Sequence, residues 1–130
     1  MAPLPSGGYR YAGPAGPPRA LEGQGLSVRK TTWWVQFEAL PALALVAMGR
    51  APADGWAAGE ALSKHWAWVR REMFDHQYGG VYDAAPRDLR PWRRPLRGLR
   101  GGWALRKGDE WKDASHETDS LLEAIALLRA

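Results

Sequence analysis

Hydrophobic and polar positions along this chain form three stretches with a helical rhythm, separated by stretches with none. In "KTTWWVQFEALPALALVAMG", Trp33, Phe37, Leu40 and Ala44 recur at the spacing of one helical face. Thr31 or Thr32 stands where an N-cap is expected, and Gly49 where the helix should stop. Pro41 falls inside the pattern, but the apolar period resumes through Leu45 and Met48, so a kink is expected there and not an end. With Asp54 as a second cap, residues 55–75 carry Leu62, Trp66, Val69 and Met73 on one face and predict the second helix. A third helix is expected from Ser115 to the last residue, with Leu121, Leu122, Ile125 and Leu128 on its inner face.

Between these elements the pattern lapses. Residues 1–29 form a Pro/Gly series without a period, which predicts a flexible, disordered N-terminal segment, with at most an extended piece at Tyr9–Tyr11. "HQYGGVYD" reads as a hairpin-like turn flanked by tyrosines. It opens a Pro- and Arg-rich stretch to Gly102, with a short extended piece expected at Trp103–Leu105. The fold class is therefore all-α. Residues 30–130 form the folded part.

Composition narrows the chemistry. A chain of 130 residues holds one domain with a modest core. It contains no cysteine, and its three histidines show no i,i+4 pairing, so neither a disulfide framework nor a metal cage is expected. That usage fits a reducing cytoplasm. No stretch approaches the roughly 18 apolar residues of a membrane span, and no leader pattern is seen, so no membrane partner is expected. The net charge of +4 and pI near 9.8 suit nucleic acid but also many basic enzymes. Eight tryptophans change the picture more, because indole is costly to expose and makes a flat stacking surface.

Two stretches combine those indoles with polar groups. On a helix turning about 100° per residue, Trp34 and Glu38 lie on one side and Trp33 and Phe37 on the neighbouring one. An indole beside a carboxylate and the Gln36 amide suits a sugar, whose C–H face packs on the ring while its hydroxyls require hydrogen bonds. Core packing of both tryptophans with a solvated Glu38 is the plainer reading of the same spacing. In "EWKDASHETDSLLEA", His116 falls in the first turn of the third helix, where the unpaired N–H groups favour a neutral imidazole. That form serves as a general base, and Trp111, before the helix, is placed to fold over the same mouth as a sugar platform. An inert helix-start histidine beside a Ser115 cap is the alternative. His65 and His76 match no motif and are expected to be surface or packing residues.

"KTTWWVQFEALPAL", "YGGVYD" and "EWKDASHETDSLLEAI", in this order and spacing, resemble the C-terminal part of the N-acylglucosamine 2-epimerase family, which includes the cellobiose 2-epimerases. The family patterns these stretches as K-x-x-W-W-x-Q-x-E, G-G-x-Y and W-K-x-x-Y-H. The resemblance implies that about three helices here are the last portion of an (α/α)6 barrel. It implies a sugar 2-epimerase or aldose-ketose isomerase that moves a proton at C2 through an enediolate, without cofactor or metal. His116 would be the acid/base, and Trp33, Trp34, Gln36, Glu38 and Trp111 would bind a monosaccharide or disaccharide. Ser115 stands where the family has tyrosine and Asp119 where it tends to have arginine, so the substrate is expected to differ. The family's second histidine has no counterpart, which implies either an N-terminal half as partner or self-association. A non-catalytic carbohydrate-binding or interaction remnant is the alternative function.

The segment "RDLRPWRRPLRGLRGGWALRK" suggests a third reading as a polyanion-binding module, since its arginines alternate with Trp92 and Trp103. Pro91 and Pro95 preclude a continuous recognition helix, and no nucleic-acid module signature is present. A solvated loop is the expectation.

Overall fold

The first apolar stretch forms helix α1, Trp33–Ala47, unbroken across Pro41. Its sequence is apolar almost all the way round, as befits a helix covered on several sides. From Trp33 to Ala44 only Glu38 and Ala42, one turn apart, are exposed. The computed structural model describes residues 2–3, 6–10, 31–49, 57–85, 107 and 115–130. Within it, α1 is the central element, and helices α2 (Ala58–Glu72) and α3 (Ser115–Arg129) both pack against it. Three packed helices are thus the architecture of the described residues, as the helical periods predict.

The ends of α1 are tied in different ways. Gly49 supplies the left-handed conformation that stops it, with φ +67°, and its N–H donates to Val46 O at 3.0 Å. At the other end Thr32 is the N-cap, but its hydroxyl makes no capping bond. A returning segment does that work: Trp33 N–H donates to Asp83 O at 3.1 Å, and Thr31 Oγ1 accepts from Ala85 N–H at 3.2 Å. The segment arrives from the end of α2 through the tyrosine turn. That turn is hairpin-like, with a Phe74–Val81 antiparallel bridge, and positive φ at Gly79 and Gly80. Lys107 pins it, donating to Gly79 O at 2.7 Å and pairing with Asp75. This ammonium and two backbone N–H groups hold the Asp75 carboxyl well below its ordinary range.

The core gathers Trp33, Phe37 and Leu40 of α1, Trp68 and Val69 of α2, then Met73, Val81, Ala85 and Ala124. Trp33, Phe37, Leu40 and Ala44 face inward as their spacing predicts, and so do Val69 and Met73. Leu62 and Trp66 pack only partly against this core, while His65 and Trp68 beside them are fully covered. The prediction for α3 fails. Its buried residues are Ser120 and Ala124, whereas Leu122, Ile125 and Leu128 are 61%, 44% and 51% exposed and only Leu121 reaches the core. Small side chains four apart let two helices approach closely, so α3 turns its Ser120–Ala124 stripe to α1 and leaves most leucines outside.

In the N-terminal segment the extended piece expected at Tyr9–Tyr11 is present at Tyr9–Arg10. Residues Tyr9–Arg10 form strand β2, paired antiparallel with the two-residue β1, Ala2–Pro3. Gly8 is buried, and β2 lies against α1. The Asp54 cap, Tyr11, the extended piece at Trp103–Leu105, Trp92 and the arginine stretch lie outside the described residues.

Candidate functional site

Where α3 begins, it meets the exposed strip of α1. His116 and Ser120, one turn apart on α3, project toward Glu38, placed on α1 one turn after Trp34. His116 Nδ1 lies 2.8 Å from Glu38 Oε1, and Ser120 Oγ lies 3.5 Å from the same oxygen. A carboxylate only accepts, so Nδ1 carries the hydrogen and Nε2 is left as the basic nitrogen in the neutral ring. The imidazole stands edge-on to Trp33, with centroids 5.3 Å apart and planes at 71°. It is tilted by 39° against Trp34 at 6.1 Å. Trp33 is a core residue, 3% exposed, and Trp34 is half-buried.

Exposure decides what this pair is for. The side chains of His116 and Glu38 are 42% and 46% exposed, and a polar contact so open to water contributes roughly 0 to 1 kcal/mol to stability. The geometry is more informative than the energy: a carboxylate orients an imidazole through Nδ1, beside two indoles. An oriented His–carboxylate pair can accept or return a proton, and of the two indoles beside it Trp34 keeps exposed surface while Trp33 is 3% exposed and packs in the core.

The structure brings together Trp33, Trp34, Glu38 and His116 from the residues singled out by sequence. Gln36 is elsewhere. Its side chain has no exposed surface and points to the other side of α1, where its amide is occupied by the backbone of Tyr9 and Thr32. Placing Gln36 among sugar contacts is therefore corrected to a structural role, because a buried amide must satisfy its hydrogen bonds where it lies. Trp111 lies outside the described residues. Ser120 joins the site and was missed by motif reasoning; its position four residues after His116 was the available signal.

The other two histidines divide as packing and surface. His65 is wholly buried, with Nδ1 2.8 Å from Gly7 O and Nε2 2.8 Å from Gln36 O. Burial pushes its pKa down from the ordinary value, against the raising effect of both carbonyl contacts. His76 is exposed and meets Arg70 O at 2.7 Å. Among the described residues no group of three or more acidic, histidine or cysteine side chains is arranged to hold a metal. No helix among them is long and apolar enough to cross a membrane. Comparison of the chain with known protein families, curated proteins and solved structures gives no match.

Proposed function

We propose that the chain is the C-terminal portion of an (α/α)6 sugar 2-epimerase or aldose-ketose isomerase, with His116 as its acid/base. The observation that carries this reading is the Glu38–His116 pair set beside Trp33 and Trp34. Residues 78 positions apart meet there, and both belong to the motifs that suggested sugar chemistry. In the proposed step the open-chain aldose, with its C1 carbonyl free, lays its C–H face on an indole and Nε2 takes the C2 hydrogen as a proton. The electrons move into the C1–C2 bond and the carbonyl oxygen gains negative charge as an enediolate. Return of a proton to the opposite face of C2 gives the epimer, and return to C1, with the O2 proton passing to O1, gives the ketose. Glu38 holds the ring and stabilises the imidazolium formed on the way.

The exposed leucine stripe of α3 supports the idea of a portion. Leu122, Ile125 and Leu128 lie on one side of the helix, and an apolar stripe of that kind suits packing against further helices or a second copy. The openness of the pair favours a second reading, a carbohydrate-binding remnant without turnover, because a site open to water loses much of its electrostatic leverage. Sugar binding is common to both and is tested directly. Titration of the chain with mannose, glucose and cellobiose should perturb the His116 ring resonances and the Trp34 indole N–H. Trp34→Ala should weaken binding by roughly 1 kcal/mol or more. Saturating sugar that leaves those resonances unmoved would remove both readings.

A further inference from the structure

On the side of α1 away from Glu38, the chain binds a piece of itself. Gln36 reads the main chain of Tyr9 in both directions: Tyr9 N–H donates to Oε1 at 2.9 Å, and Nε2 donates to Tyr9 O at 2.7 Å. Such double pairing is what a neighbouring β-strand offers, here supplied by one buried amide. Two residues before Tyr9, Gly7 O sits 2.8 Å from His65 Nδ1. The Tyr9 ring lies edge-on to His65, with centroids 4.8 Å apart. Gly8 passes over the Trp68 indole so closely that a Cβ on it would stand 2.6 Å from Trp68 Cζ2. At Gly7 a Cβ would meet Lys64 O at 2.8 Å, and the residue has φ +114°. Both glycines are thus required by contact, Gly7 by backbone conformation as well.

Gln36 and His65 have no exposed surface, and Trp68 is 3% exposed. A polar reader buried between two helices and aimed at another segment's main chain is the construction of a peptide site. Its selectivity follows from the contacts: two consecutive residues without side chains, then an aromatic that fits against an imidazole.

We propose that the groove between α1 and α2 is a binding site for an extended Gly-Gly-aromatic peptide segment, occupied in cis by Gly7–Tyr9. A partner carrying that sequence displaces the arm. This inference is independent of the sugar reading, since it uses none of Trp33, Trp34, Glu38 and His116.

The test uses the full chain and a fluorescein-labelled peptide, Ser-Gly-Gly-Tyr-Arg-Tyr, followed by anisotropy. A tethered occupant acts at roughly millimolar effective concentration, so the wild-type chain should bind micromolar peptide weakly. Gly8→Val expels the arm and empties the groove, and should bind the peptide at least about tenfold more tightly. A peptide with valine at the second glycine should not bind, and adding Gln36→Leu to Gly8→Val should abolish binding of the original. Gly7→Ala provides a second way to release the arm. Failure of a folded Gly8→Val or Gly7→Ala chain to bind overturns the proposal, as does equal binding of the valine peptide. Loss of the helical fold in both variants also overturns it, because an exchangeable arm must be separable from the fold.

Discussion

The face that α3 turns to α1 can be decided by two substitutions with opposite expectations. Ala124 is 7% exposed and belongs to the core cluster. Replacing it with leucine adds three carbons at a buried position of the core cluster, and overpacking of that kind costs about 1–3 kcal/mol. Leu122 is 61% exposed, so Leu122→Ala should change stability by no more than about 0.5 kcal/mol. The leucine pattern alone predicts the reverse. If Leu122 faced the core, its truncation would cost about 2–5 kcal/mol, and Ala124→Leu would be nearly neutral. Urea unfolding followed by tryptophan emission separates the cases, since Trp33 and Trp68 are both buried and report loss of the core. With an m-value near 2 kcal/mol/M, Ala124→Leu should lower the midpoint by about 0.5–1.5 M, and Leu122→Ala should leave it within about 0.25 M. Dilute protein keeps association through the leucine stripe from adding to the Leu122 result. A midpoint more sensitive to Leu122 than to Ala124 would refute the orientation and, with it, the position of His116.

Other expectations follow from the same packing. Phe37→Ala empties a site of zero exposure against Phe74 and should cost about 3–5 kcal/mol by urea unfolding, which leaves little of a typical domain's stability. Because burial holds the His65 pKa below 6.5, the unfolded chain binds the extra proton; stability should be full above pH 6.5 and fall as pH drops toward the depressed value. Asp75 adds a separate loss below its ordinary value of 3.8, and a His65→Leu chain, though less stable throughout, should keep only that lower limb in urea midpoints measured against pH. Lys107→Met removes the ammonium from Asp75 and Gly79 O, and amide exchange should quicken at Gly79 and Tyr82 while α1 is unaffected.

Legibility in the sequence tracked how strongly each residue's surroundings are local. α1 was readable because an apolar run with a terminal glycine restricts the outcome whatever it packs on, and Pro41 was tolerated within it. The tyrosine turn was readable because paired glycines supply the positive φ it needs. The inner face of α3 was not, since the pattern weighs leucine above alanine, while the close approach of α1 selects small residues. The role of Gln36 was hidden for a related reason. Its partner is a backbone 27 residues away, and backbone groups leave no signature in side-chain patterns. Glu38 and His116 were named by motif, yet their meeting depends on the rotation of α3 that the leucines misreport. The capping of α1 by Asp83 O and the tie of Ala85 N–H to Thr31 Oγ1 are likewise long-range, and no N-cap rule applied to Thr31 or Thr32 anticipates them.

The central proposal, that His116 moves a proton at C2 of a sugar, is tested most directly by hydrogen exchange with solvent. The chain is co-expressed with an N-terminal barrel segment of the N-acylglucosamine 2-epimerase family, and an aldose is incubated with the complex in deuterium oxide. Incorporation at C2, read by NMR, reports proton abstraction even where net epimerisation is slow. The account predicts incorporation that falls about 100- to 10,000-fold with His116→Ala. It also predicts a smaller loss with Glu38→Gln, which keeps the ring's neighbour but removes the charge that orients it. Equal incorporation with and without the His116 imidazole would contradict the account and leave the histidine as a residue that only joins α3 to α1.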